Sequence, residues 1–137
     1  MPSRRHVLSL LAAAPLAANC SGGLPDPIAA WRDPGAGETD PRRFALAHAI
    51  LAPNPHNRQP WLVALSGERD ILLWADPERL FPQTDPFDRQ IVMGCGAFLE
   101  LLDLAARAQG LGAAITLWPE GEPQPRLDAR PVAHVRL

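Results

Sequence analysis

Little in this sequence points to covalent or metal-based chemistry. Its 137 residues hold two cysteines. One of them, Cys20, falls at the end of the N-terminal apolar segment, so Cys95 alone remains for the folded part. That excludes an internal disulfide framework and a cysteine-based zinc site. A net charge of −2 leaves no basic footprint for nucleic acid or an anionic membrane surface. The apolar run from Val7 to Ala18 is shorter than the ~20 residues that span a bilayer. The histidines (His6, His48, His56, His134) show neither H-x-x-E-H nor His-x-His spacing, so no metal site is expected. Ser66 sits in a turn without a G-x-S-x-G elbow, and no local motif positions a pair of carboxylates. No catalytic acid, base or nucleophile is assigned.

What is present begins with an export signal, residues 1–23. Arg4 and Arg5 precede the apolar run, and small residues follow it to Gly23. The pair resembles a twin-arginine signal, with Val7 where that pattern prefers phenylalanine; a fortuitous basic, apolar helix is the plain alternative. Cys20 before Ser21-Gly22-Gly23 resembles a lipoprotein anchor, but Asn19 stands where a lipobox has Gly, Ala or Ser. The expected location is the periplasm or cell envelope. About 115 residues then remain, enough to bury roughly 65% of their unfolded surface. Hydrophobic content of 47% suits a globular domain.

Residues 24–40, rich in Pro, Gly and acids, read as mostly irregular lead-in. Arg42–Leu51 has helical spacing at Phe44, Ala47, Ile50 and Leu51, and Pro53 stops it. Trp61–Leu65 and Ile71–Trp74 are apolar runs around Ser66-Gly67-Glu68-Arg69-Asp70, a hairpin pattern. Ala113–Trp118 and Val132–Leu137 read as two further strands. The strongest helix signal follows Asp85. Asp85 is placed to cap, Pro86 suits the first helical position, and Asp88 falls near the positive end of the dipole. Ile91, Cys95, Phe98, Leu99, Leu102 and Ala106 then make an apolar face, Glu100, Asp103 and Arg107 lie towards water, and Gly110 ends the helix. This order predicts an α+β domain.

Two stretches could carry function. Ile91-Val92-Met93-Gly94-Cys95-Gly96 invites a dinucleotide-binding reading, but the third glycine of that fingerprint is replaced by Leu99. Gly94 and Gly96 are instead expected to let another backbone pack closely, and Cys95 to be a small core residue. Leu51-Ala52-Pro53-Asn54-Pro55-His56-Asn57-Arg58-Gln59-Pro60-Trp61 combines three prolines with three side-chain amides. The prolines stiffen the segment and withdraw amide donors. The amides carry both donors and acceptors, as a flat heterocycle with alternating edge atoms requires. They could equally serve the loop's own backbone.

The segment from Ala52 to Trp61 resembles the A-P-S-x-x-N-x-Q-P-W stretch of the nitroreductase family of FMN flavoproteins. Its Pro55-His56 before Asn57 is similar to the Acg-like branch, several of whose members begin with twin-arginine signals. Asp85-Pro86-Phe87-Asp88-Arg89-Gln90, then Gly94-Cys95-Gly96-Ala97 in a long helix, resembles that branch again; together the blocks cover roughly residues 28 to 118. The resemblance implies an antiparallel or mixed sheet packed on a long core helix. It also implies FMN as cofactor, NADH or NADPH as donor and a small-molecule acceptor. Pro53, Asn54, Pro55 and Asn57 would lie against the flavin, with Asn54 where the family usually has serine. Gln59 and Trp61 would hold loop and core. Arg32, Arg42 or Arg43 would be phosphate ligands, although the usual R-S-x-R arrangement is absent, and Arg89 would either brace the helix or face the flavin.

The expected function is therefore an exported FMN-dependent oxidoreductase. A flavin-sequestering protein without turnover and a cofactor-free exported or lipid-anchored binding module are the rivals. Family sites form between two subunits or two halves of a longer chain, which implies a homodimer or a complementing C-terminal half. Residues 41–137 would be the N-terminal part of such a domain. Alone it is expected to expose an apolar face, self-associate and hold FMN weakly.

Overall fold

A computed structural model of the chain describes residues 26–137. The signal reading and Cys20 lie outside the described residues. Among the described residues no helix is long and apolar enough to cross a membrane.

After a single helical turn α1 (Ala29–Arg32), the chain enters α2 (Pro41–Ala49). Asp40 caps α2 by accepting the Arg42 backbone N–H at 2.9 Å, and Pro41 occupies the first position, where its missing donor is harmless. The hairpin follows as β1 (Trp61–Ser66) and β2 (Asp70–Ala75), paired antiparallel with Ser66 opposite Asp70. Gly67 takes the left-handed conformation this tight turn needs, with φ +51°. Then come α3 (Arg89–Ala108), β3 (Ala114–Leu117) and β4 (Ala133–Arg136). The sheet order is β1-β2-β4-β3, and every pairing is antiparallel. β4 therefore runs down the middle beside β2, although it comes last in sequence. This is the α+β architecture expected, a sheet packed on one long helix.

One face of the sheet is the core. β2 alternates strictly, with Ile71, Leu73 and Ala75 buried, and Ala133 and Val135 of β4 join them. Against them α3 sets Ile91, Cys95, Phe98, Leu99, Leu102 and Ala106, all buried, as the helical spacing predicts. Phe98 is fully buried and its ring meets Trp61 at 5.0 Å between centroids. Burial of one such side chain stabilises by roughly 1.5–3 kcal/mol. α2 packs on α3 through Ala45 and Ala49, whose lack of bulk lets the helices approach. Towards water, Arg107 donates to Asp103 at 2.7 Å one helical turn away.

The start of α3 differs from expectation. The helix begins at Arg89, so Pro86 lies before it, and Asp88 is the capping position with φ +55° and no capping bond of its own side chain. The capping is done at a distance: Asp85 Oδ2 accepts the N–H groups of Gln90 (2.8 Å) and Ile91 (3.2 Å). Asp88, fully buried, turns away from the helix to accept Arg126 Nε (3.1 Å) and Nη2 (2.6 Å) and the Leu127 N–H (3.0 Å). A charge buried this way requires such partners. The acid expected to favour the helix dipole instead ties the proline-rich loop between β3 and β4 to the start of α3.

Candidate functional site

The amide-rich loop joins α2 to β1 and crosses the first turns of α3. Asn54 is extended, as a residue before proline must be, and Pro55–Asn57 then form a single 3-10 turn. Three residues without glycine's freedom adopt left-handed backbone: His56 (φ 52°), Asn57 (φ 51°) and Gln59 (φ 52°). That conformation costs roughly 1–2 kcal/mol per residue, least for asparagine. Strain concentrated in so short a segment is characteristic of binding and catalytic loops.

The loop's own amides meet part of that cost. Asn54 Nδ2 donates to the Ala52 carbonyl at 3.2 Å, and its Oδ1 accepts the Gln59 N–H at 2.8 Å. Asn54 thus bridges the turn it opens, in a manner an Asx side chain does well. Gln59 Nε2 donates to Asn57 Oδ1 at 3.0 Å. Among the described residues this leaves Asn57 Nδ2 as a donor and Gln59 Oε1 as an acceptor, on two hydrogen-bonded amides and without a protein hydrogen bond of their own.

Gly94 explains how the loop comes so near the helix. A Cβ there would stand 3.4 Å from both Asn54 Cβ and Pro55 Cδ, so any longer side chain would push the loop away. The close packing expected of the two helix glycines holds for Gly94. It does not hold for Gly96, which faces solvent with nothing within 4 Å of a built Cβ. Two residues apart, they point to nearly opposite sides of the helix, which puts only the first under the loop.

Two openings flank Pro53 and Asn54. One, of about 440 Å³, is lined by Trp31, Ile50, Pro53, Asn54, Asn57 and Gln59 among others. The second, of about 360 Å³, runs between Pro53-Asn54-Pro55 and the Gln90, Met93, Gly94 and Ala97 side of α3. The structure therefore brings Pro53, Asn54, Pro55 and Asn57 to one place and adds Gln59, Met93 and Gly94. Trp61 turns its ring inward onto Phe98. Trp31 and Ile50, both exposed, enter from elements whose sequence carried no sign of a site.

Two of the three arginines expected near a phosphate, Arg32 and Arg42, are engaged locally. Arg42 donates to Asp40 at 3.0 and 2.7 Å and to the Gly67 carbonyl at 2.8 Å, fastening α2 to the hairpin turn. This guanidinium, first by hydrogen bonding, holds the Asp40 carboxyl down at about 2. Arg32 pairs with Asp26 at 2.9 Å. Arg43 is exposed on α2. Arg89 lies 5.4 Å over the Phe87 ring and lines a further cavity, about 670 Å³, with Met93, Trp118 and Arg126. Cys95 is walled off: burial pushes its thiol up to about 12, so it stays protonated and inert. Among the described residues no group of His, Cys, Asp and Glu could hold a metal ion.

The fold and the loop define an α+β protein, and part of its sequence is similar to proteins named as nitroreductases. No protein-family model matches the chain. The Mycobacterium tuberculosis protein named "Putative NAD(P)H nitroreductase acg" is 33% identical over 81 residues, 59% of this chain and 24% of that protein. An uncharacterized protein of the same organism is 36% identical over 97 residues, 66% of this chain and 28% of its own length. The chain thus spans about a quarter of the curated relatives it matches. Among solved structures, the crystal structure titled "Putative NADH Oxidase" from Clostridium acetobutylicum shares the fold. Its TM-score is 0.56 at 19% identity, covering 72% of this chain and 75% of that one.

Proposed function

We propose that this chain contributes an FMN site to an NAD(P)H-dependent oxidoreductase whose acceptor is a small molecule. The observation that carries the reading is the strained loop, whose hydrogen-bonded Asn57 and Gln59 amides keep one donor, Asn57 Nδ2, and one acceptor, Gln59 Oε1, for a ligand. Such a pair fits the edge of an isoalloxazine ring, which offers carbonyl acceptors next to an N–H donor. A neutral pair binds that edge without the bias in redox potential that a fixed charge would impose. The names of the sequence relatives support the same class.

Pro53 and Pro55 would form the wall, because their rigid φ angles fix its surface, and Gly94 would seat that wall against α3. Asn57 and Gln59 would orient the ring. Asn54 would act through the loop, since its Nδ2 and Oδ1 already serve Ala52 and Gln59. The chemistry such a cofactor supplies is hydride acceptance from a nicotinamide donor and electron delivery to a second substrate.

Met93 is 73% exposed and Leu104 51%, with half-buried Ala97 and Leu101 between them, a stripe along the outer side of α3. Exposed apolar stripes of this kind mark association surfaces. A second subunit or a complementing polypeptide lying there would close the site. Export by the twin-arginine route belongs to the same proposal, and changing Arg4 and Arg5 to lysine should retain the protein in the cell; continued export would refute it.

The direct test is gentle purification followed by a visible spectrum and addition of NADH or NADPH. A flavin spectrum that bleaches supports the oxidoreductase. A stable yellow protein that never bleaches would assign flavin sequestration, and a colourless protein that ignores added FMN would leave a cofactor-free binding module.

A further inference from the structure

The left-handed shape of the loop is held by a second segment, the one that leaves β2. Pro77–Arg79 make a 3-10 turn after β2, capped by Asp76 Oδ1, which accepts the Glu78 N–H at 3.0 Å. From this turn Arg79 Nη1 donates to the Arg58 carbonyl at 2.8 Å and towards the Gln59 carbonyl at 3.4 Å. Its Nε holds Asp76 Oδ2 at 3.1 Å. Arg58 reaches the other way, donating Nε to the Arg79 carbonyl at 3.1 Å and Nη2 to the Glu78 carbonyl at 3.2 Å. The Asp76 N–H completes the contact by donating to the Pro60 carbonyl at 2.8 Å.

The two carbonyls that Arg79 Nη1 binds belong to the peptide planes on either side of Gln59. Fixing both planes fixes the φ and ψ of the residue between them, and Gln59 is one of the strained residues, at φ 52°. The planar guanidinium anchors on Asp76 through Nε while its Nη1 reaches both carbonyls, a fixed fork that the single nitrogen of a lysine ammonium cannot reproduce. Without the fork, Gln59 can relax to right-handed or extended backbone. Its side chain would then leave Asn57, and the donor–acceptor edge would be lost.

We infer that Arg79, with Arg58 as its reciprocal partner, is a positioning residue: it locks Gln59, and through it Asn57, in the geometry that binds the cofactor. The functional consequence rests on the flavin reading above; the locking itself does not.

The test compares the full chain with its Arg79→Ala and Arg79→Lys variants by residue-resolved hydrogen exchange and by FMN titration. Arg79→Ala should speed exchange of the Arg58 and Gln59 amides about tenfold or more while the core amide of Val132, bonded to the Leu73 carbonyl at 2.8 Å, is unchanged. FMN affinity should fall by about tenfold. Because the Arg79 side chain is 49% exposed, its removal leaves a slot open to solvent, and added guanidinium ion should restore part of both losses. Arg79→Lys should shift both readouts in the same direction by less, and it carries the test if the alanine variant unfolds. Unchanged exchange at Arg58 and Gln59 would overturn the inference, as would full FMN affinity despite faster exchange. Should the parent chain take no FMN at all, the flavin reading falls, and exchange alone decides: faster rates uphold the lock, equal rates overturn it.

Discussion

The core between α3 and the sheet and the loop from Pro53 to Gln59 obey opposite rules. In the core every local preference agrees with the fold: helical spacing on α3, strict alternation on β2, small residues where α2 crosses. Its large side chains are buried in one continuous cluster. The loop holds three left-handed residues that are not glycine, and its amides bond to one another. Stability resides in the first region; if the loop is the flavin site proposed above, recognition resides in the second, and substitutions should separate the two properties.

The largest effect expected is that of Phe98→Ala. Removing a fully buried ring leaves a cavity and should cost about 3–5 kcal/mol, a large part of the 5–15 kcal/mol typical of a domain. Chemical denaturation would read it as a lower midpoint. Equal stability of the variant would show the core to be looser than described.

Gly94 sits where the two regions touch, and a pair of substitutions there sharpens the contrast. Alanine adds only an ordinary 3.4 Å contact and gains helix propensity, so Gly94→Ala should hold or raise stability, by up to about 1 kcal/mol. Leucine must displace Asn54 and Pro55. Gly94→Leu should therefore lose FMN affinity by tenfold or more while unfolding closer to the parent than Phe98→Ala does. If leucine left binding intact, the loop would not need its seat on α3.

Smaller effects come from pH, and they lie at opposite ends of the range. Cys95 titrates at about 12 in the fold against an ordinary 9.0. A raised folded value stabilises below the unfolded one, so the contribution should fade as pH climbs from about 9 towards 12. Cys95→Ala should flatten that alkaline decline, and thiol reagents should label the parent only as it unfolds. Asp40 is depressed from 3.8 to about 2 by Arg42, so its contribution is complete above 3.8 and lost as pH falls towards 2. Asp40→Asn should remove that acid-side slope; an unchanged acid profile would mean that the Arg42 pair adds nothing measurable, as exposed pairs often do.

How much of this was legible in the sequence follows the same division. The buried face of α3 could be read residue by residue, because periodicity is local and burial follows from it. The start of α3 could not. Both Asp85 and Asp88 suit a first turn, and what separates them is Arg126, thirty-eight positions further on, which draws Asp88 out of the helix. Gly94 and Gly96 look alike in sequence, and only the path of the loop gives the first a neighbour. The amide cluster was visible as composition, but the left-handed run was not, since no glycine announces it. The residues that hold it, Arg58 and Arg79, are separated by a whole hairpin and read as ordinary surface charge.

If the strained amide pair seats a flavin as proposed, FMN titration of the parent chain should show saturable binding with one flavin per site, and Asn57→Ala is the variant to set beside it. In the variant, the unpaired ring edge should cost about 1–3 kcal/mol, a roughly ten- to hundredfold weaker affinity, with the unfolding midpoint unchanged. Equal affinity in a folded variant, or no saturable binding by the parent, would contradict the proposal.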